Sequence, residues 1–115
     1  MGIPAREHVR QVQEYVRAHL SEQIAVAEIA QTLGLNASYL NTCYRTQTGE
    51  SVSGCIRRMK IGRAAELLRG TEHSLAEICA MLGYFDQSHF SRTFRSVTGM
   101  TPGRYRAQFG ARNCL

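Results

Sequence analysis

Residues 24–49, IAVAEIAQTLGLNASYLNTCYRTQTG, return with changes as residues 73–99, HSLAEICAMLGYFDQSHFSRTFRSVTG. Up to the first glycine the offset is 49, pairing Ala27 with Ala76, Glu28 with Glu77, Ile29 with Ile78, Leu33 with Leu82 and Gly34 with Gly83. Beyond it the offset is 50, pairing Ser38 with Ser88, Arg45 with Arg95, Thr48 with Thr98 and Gly49 with Gly99. The extra residue falls in the turn of the second copy, around Phe85. Any fold must therefore satisfy one pattern twice. Each copy has a short apolar-periodic run, a glycine and a second periodic run, the order of a helix-turn-helix unit. Two such units fill about half of the chain and predict a protein that lies along DNA.

The rest of the chain reads as helix, with no strand signal. Val9, Val12, Val16 and Leu20 share one face of a first helix over 5–20 that opens after Pro4. The first copy gives helices over 26–33, stopped by Gly34, and over 37–48, capped by Asn36 and stopped by Gly49. Ser51 caps a long helix to Arg69, with Gly70 as its expected stop. Ser74-Leu75-Ala76-Glu77 is a capping box, S-x-x-E, opening a fifth helix that ends at Gly83. The first copy has Ala25 at the matching cap and lacks that support, so the first unit is expected to be the less firmly held. Asp86 caps a sixth helix that Gly99 ends, and Thr101-Pro102 opens a seventh. The reading is all-α: seven helices, with a first helix-turn-helix subdomain over 5–50, a connecting helix over 51–70 and a second subdomain over 71–109. Tyr84 and Phe85 are expected to pack beside the second turn, and residues 110–115 to fray.

Charge separates the two halves. In residues 1–50 four arginines face five glutamates (net −1), whereas in residues 51–115 ten basic residues face four acids (net +6). A basic half suits a polyanionic partner. Cys43, Cys55, Cys79 and Cys114 form no C-x-x-C pair and stand at no metal-ligand spacing from a histidine. They read as free thiols in a reducing compartment, Cys79 as a small core residue and Cys114 as an exposed one. His8, His19, His73 and His89 are scattered, without a Ser, Cys or Asp in a catalytic arrangement. There is no Gly-rich phosphate loop, so neither an enzyme nor a cofactor is expected. No apolar run approaches the roughly 18 residues of a membrane span, and charges interrupt the N-terminus where a signal peptide would need its apolar core. The expectation is a cytoplasmic protein without membrane contact.

Within each unit the apolar residues read as core: Val26, Ile29, Leu33, Leu40 and Tyr44 in the first, Leu75, Ile78, Leu82, Phe90 and Phe94 in the second. What remains is an outward face on each second helix. On the sixth helix it carries Gln87, Ser88, His89, Ser91, Arg92 and Arg95; on the third, Ala37, Ser38, Asn41, Thr42 and Arg45. These are hydrogen-bonding groups and arginines without a carboxylate after the cap, a composition that suits base edges and phosphates. A solvated face usually mixes Glu with Lys or Arg. Arg92 is the leading candidate for guanine, because its fork matches O6 and N7, and Gln87 and Asn41 are candidates for adenine.

Residues Ser74–Arg106, SLAEICAMLGYFDQSHFSRTFRSVTGMTPGRYR, resemble the C-terminal signature of the AraC/XylS family of bacterial transcription regulators. The upstream AVAEIAQTLGLNASYLNTCYRTQTGESVSGCIRRMKIGRAAELLRG is similar to that family's first helix-turn-helix and connecting helix, so the resemblance covers about residues 6–108. It implies sequence-specific binding to double-stranded promoter DNA, with two recognition helices in successive major-groove segments about one turn, ~34 Å, apart. Matched position by position, it implies base reading by Gln87, Ser88, His89, Ser91 and Arg92 in the second unit and by Ser38, Asn41 and Thr42 in the first. Phosphate contacts are implied at the N-termini of the second, third, fifth and sixth helices and at Arg45, Arg95, Arg57 and Arg58. Three positions depart from the pattern: Thr42 where many relatives carry Arg, Cys55 where an aromatic is common, and the uncapped Ala25. Contact with RNA polymerase is also implied. The alternative from another class is a helical protein-interaction module with secondary DNA affinity. Most relatives add an effector-binding or dimerisation domain, usually N-terminal. The expectation here is a fragment of such a regulator, with no effector bound by this segment.

Overall fold

The computed structural model describes residues 4–110, and Cys114 and most of the tail read as frayed lie outside them. Seven helices follow one another: α1 (Ala5–Ala18), α2 (Val26–Thr32), α3 (Ala37–Thr48), α4 (Val52–Gly70), α5 (Leu75–Met81), α6 (Gln87–Thr98) and α7 (Pro102–Phe109). Among the described residues there is no strand. The all-α reading with seven helices holds.

The chain divides into two compact units. One joins the residues up to Leu20 with Ile24–Met59; the other joins Ser21–Gln23 with the residues from Lys60 onward. The boundary falls inside α4, which the sequence reading treated as a separate connector. Its first half belongs to one unit and its second half to the other.

In the first unit Val12 and Val16 of α1, Ile29 and Ala30 of α2, Leu40 and Tyr44 of α3, and Val52 and Cys55 of α4 form one buried cluster. His8 is buried one turn before Val12, so the inward face of α1 runs His8, Val12, Val16 at i, i+4, i+8. Val9 and Leu20, expected on that face, are only partly buried. Asn36 caps α3, its side chain accepting from the backbone N–H groups of Ser38 and Tyr39 at 2.8 and 3.3 Å. Gly49 ends α3 in the left-handed region at φ 83°. Half of a capping box opens α2: Glu28 accepts the Ala25 N–H at 3.2 Å, but Ala25 has no side-chain oxygen to return the bond.

In the second unit Ile61, Ala64, Leu67 and Leu68 of α4 are buried, with Ile78, Cys79, Leu82, Phe90 and Phe94. Aromatic rings continue outward from this set: Tyr84–Phe90, Phe90–Phe94, Phe94–Tyr105 and Tyr105–Phe109, with centroids 5.1, 6.0, 5.4 and 4.9 Å apart. Here the capping box is complete. Ser74 Oγ accepts from the Glu77 N–H at 3.1 Å, and Glu77 accepts from the Ser74 N–H at 2.9 Å. Those bonds hold the Glu77 carboxyl below its usual pKa. Burial pushes the Cys55 and Cys79 thiols upward, which fits packing residues rather than reactive ones.

Two expectations fail in this unit. Gly70 does not stop α4; it is the last helical residue, and its φ is not positive. The helix end is closed by side chains instead. Thr71 Oγ1 donates to the Leu67 carbonyl at 2.7 Å, and the Arg106 guanidinium donates to the Leu68 and Thr71 carbonyls at 3.2 Å each. An arginine on α7 thus does the work expected of a glycine. Phe85 is the second failure. Tyr84 packs as expected, but Phe85 is 89% exposed.

Lys60, the only lysine of the chain, was not singled out by sequence, and it is only 5% exposed. Its Nζ donates to the Leu82 carbonyl at 2.5 Å and to the Glu22 carbonyl, and lies 5.7 Å from the Tyr84 ring centre. It ties the connection before α2 to the turn of the second unit. A cation between two apolar neighbours, Met59 and Ile61, was the available signal.

Candidate nucleic-acid interface

The duplication runs further than the sequence match. In both units the threonine before the terminal glycine donates back along its helix: Thr48 to the Tyr44 carbonyl at 2.8 Å and Thr98 to the Phe94 carbonyl at 2.9 Å. The following helix then starts on a hydroxyl cap, Ser51 accepting from Gly54 N–H and Thr101 from Arg104 N–H, at 3.0 and 3.2 Å. Each second helix of a unit is therefore fixed at both ends. Its apolar side is held by the core: Leu40 and Tyr44 on α3, Phe90 and Phe94 on α6. The opposite side is what the sequence singled out.

On α6, Gln87, Ser88, His89, Arg92 and Arg95 are exposed and Ser91 is half-buried. Asp86, which caps this helix, is turned away from ligand duty: it accepts the Ser88 N–H at 2.9 Å. Arg92 and Arg95 face no carboxylate among the described residues, and α6 itself carries none. The His89 ring leans toward Tyr84, centroids 6.0 Å apart. Four hydrogen-bonding side chains and two free guanidinium groups stand together on one short helix.

On α3, Ser38, Thr42 and Arg45 are exposed. Asn41 is different. It is half-buried, and its Oδ1 accepts the Val52 N–H at 2.9 Å, closing the start of α4. Reading adenine with both ends of an amide needs that oxygen. In this arrangement Asn41 offers only its NH₂. The matched positions in the second unit are Ser91 and Pro102, and a proline has no N–H to satisfy, so Ser91 is not bound in this way. Tyr39, 52% exposed on α3, was missed by sequence reasoning. Its partner at offset 50 is His89, and that pairing was the available signal.

The phosphate candidates also separate. Arg45, Arg57 and Arg95 are exposed without a carboxylate partner among the described residues. Arg58 is committed: its Nη2 and Nε reach Glu50 at 2.9 and 3.1 Å, and those bonds raise its pKa. The N-termini of α2 and α5 are partly spent on their own capping residues. Those of α3 and α6 are fixed by Asn36 and Asp86.

Two units of this design, each presenting a carboxylate-free second helix, define a tandem helix-turn-helix domain. Residues 29–108 match the model of a helix-turn-helix domain family. The chain belongs to this family, the AraC-type DNA-binding domains. It is similar to the HTH-type transcriptional activator RhaR of Yersinia pseudotuberculosis, 32% identical over 107 residues, which are 93% of this chain but 37% of that protein. The chain thus spans little more than a third of that relative. Among solved structures it is similar to the C-terminal domain of AraT, a response regulator from Geobacillus stearothermophilus, with a TM-score of 0.87 and 28% identity, covering 94% of this chain and 90% of that one. The DNA-binding domain of AdpA, a global transcriptional factor solved in complex with a target DNA, shares the fold at a TM-score of 0.80 and 24% identity, covering 97% of each chain. Among the described residues, no helix is long and apolar enough to cross a membrane.

Proposed function

We propose that this chain is the DNA-reading part of a bacterial transcription regulator, acting in the cytoplasm on double-stranded promoter DNA. The observation that carries the reading is the α6 face, where Gln87, Ser88, His89 and Arg92 stand exposed on a helix without a carboxylate. In this reading α6 enters the major groove by its N-terminal end, and α3 enters the next segment about one turn away. Arg92 forks onto guanine O6 and N7, Gln87 takes adenine, and Ser88, Ser91 and His89 complete the contact. Ser38 and Thr42 read the other segment, with Asn41 adding only its amide donor. Arg45, Arg57 and Arg95 hold phosphates, whereas Arg58 stays with Glu50. Contact with RNA polymerase at the promoter belongs to the same reading.

A selection from random duplexes followed by titration tests this. Arg92→Ala should cost ~1–3 kcal/mol on the selected site and relax preference at one base pair. Equal weakening on random DNA would assign Arg92 to phosphate instead. Binding to the selected site should fall about 40-fold between 50 and 200 mM salt, as expected for the three phosphates held by Arg45, Arg57 and Arg95. Failure to select any site would favour the protein-interaction module.

A further inference from the structure

The residue inserted into the second turn can be placed bond by bond. In the first unit the Leu35 N–H donates to the Ala30 carbonyl at 2.8 Å and the Leu40 N–H to the Asn36 carbonyl at 2.9 Å. In the second, the Tyr84 N–H donates to the Cys79 carbonyl at 2.9 Å and the Phe90 N–H to the Asp86 carbonyl at 3.0 Å. Leu35 thus corresponds to Tyr84 and Asn36 to Asp86. Nothing in the first unit corresponds to Phe85. Both flanks of the insertion are anchored: Tyr84 lies 5.1 Å from the Phe90 ring, and Asp86 holds the Ser88 N–H. The phenyl ring between them is 89% exposed. Exposed apolar area of this size has no compensation within the fold. The neighbouring Tyr84 shows that an aromatic side chain at this turn can pack.

Phe85 stands two residues before Gln87, at the end of α6 by which a recognition helix meets base edges. The side chain has no donor, acceptor or charge. The one apolar feature that the major groove presents to such a group is the 5-methyl of thymine. We infer that Phe85 is a specificity residue that packs on a thymine methyl beside the base pairs read by α6. The inference rests on the DNA reading above and adds a base preference that the first unit cannot have.

The probe is a duplex selected by the wild-type protein, with each thymine replaced in turn by deoxyuridine, which removes only the methyl. At one position flanking the α6 contacts, the wild type should lose about fourfold in affinity, the factor that goes with one buried methyl. Phe85→Ala and Phe85→Ser should bind the two duplexes equally, and Phe85→Leu should keep the discrimination. Thermal unfolding of all three variants should match the wild type, because the side chain lies outside the core. A wild type indifferent to every methyl, or a Phe85→Ala protein that still discriminates, overturns the proposal while leaving the DNA reading intact. Equal weakening by Phe85→Ala on selected and random duplexes, with discrimination unchanged, also overturns it and moves the ring to the sugar–phosphate backbone. If no duplex is selected, both readings fall together.

Discussion

The turns of the two units share a conformation and differ in surroundings. Gly34 and Gly83 both adopt the left-handed region, at φ 72° and 73°. A methyl group on Gly34 would meet no heavy atom within 4 Å. On Gly83 it would lie 2.7 Å from the Glu22 carbonyl carbon and 2.9 Å from its oxygen. In the first unit glycine is needed for the dihedral angle alone, whereas in the second it is needed for the angle and for the space. The second turn is also tied by Lys60 and preceded by a complete capping box, while the first has neither. The first unit instead fixes α3 to α4 through Asn41, one of its own candidate reading residues. Repetition has preserved the backbone, and the side chains have divided the duties. The second unit is braced from outside its candidate interface and keeps the α6 side chains there out of that bracing. The first draws on its face for its own structure.

The largest expected effect breaks or keeps the contrast between the glycines. Gly34→Ala should cost about 1–2 kcal/mol, the strain of a left-handed residue with a Cβ. Gly83→Ala adds a backbone clash that no side-chain rotation relieves, and should cost about 3–4 kcal/mol. Urea unfolding of the two variants measures both. Equal losses would mean that the connection at Glu22 yields easily and that the second turn is not braced.

Lys60 sharpens the same contrast at a smaller scale. Lys60→Met keeps the length of the side chain and leaves the Glu22 and Leu82 carbonyls without this donor. A loss of about 2 kcal/mol is expected, within the range for abandoned buried polar groups. Burial pushes the Lys60 pKa below its usual 10.5, with the Glu22 carboxylate opposing. The unfolded chain therefore keeps this proton to higher pH than the folded one. Between the folded value and 10.5 the unfolded state binds more protons, so this residue's contribution to stability rises with pH. The difference between wild type and Lys60→Met should widen in favour of the wild type as pH climbs through that window. A variant as stable as the wild type would show that desolvating the ammonium cancels its two bonds.

These effects turn on what a one-dimensional reading can reach. The caps at Asn36, Ser74, Asp86 and Thr101 and the glycines at 34, 49, 83 and 99 were legible, because each acts within a few residues of itself. The cores were legible from periodicity, and so was the exposure of most of the site. Gly70, Asn41 and Lys60 escaped the sequence because their partners are distant in it. Gly70 looks like a stop only until Arg106, 36 residues later, takes the carbonyls. Asn41 reads as a surface amide until Val52 needs a hydrogen-bond acceptor. Lys60 is buried because two carbonyls from separate segments converge on it. Phe85 was placed correctly as an insertion but packed wrongly: its neighbour Tyr84 takes the contact with Phe90, and Phe85 stays exposed.

The smallest expected effect concerns the starts of α2 and α5, where the units differ by one hydroxyl. Ser74→Ala should cost about 1 kcal/mol, because it leaves the Glu77 N–H without its acceptor. Ala25→Ser is the reciprocal change. Glu28 already accepts the Ala25 N–H at 3.2 Å, and Ala25 already has the extended backbone of a cap, φ −106° and ψ 141°. The Glu28 N–H, which already donates to the Ala25 carbonyl at 3.0 Å, would take the new hydroxyl as a second acceptor and complete the box, for a gain of about 0.5 kcal/mol. Chemical denaturation reads the two values, and hydrogen exchange at the first-turn amides of α2 and α5 assigns them to their units. If Ala25→Ser gains nothing while Ser74→Ala loses the full amount, the cap is not what separates the two units. The difference would then lie in what surrounds the turns, and Lys60 would carry it.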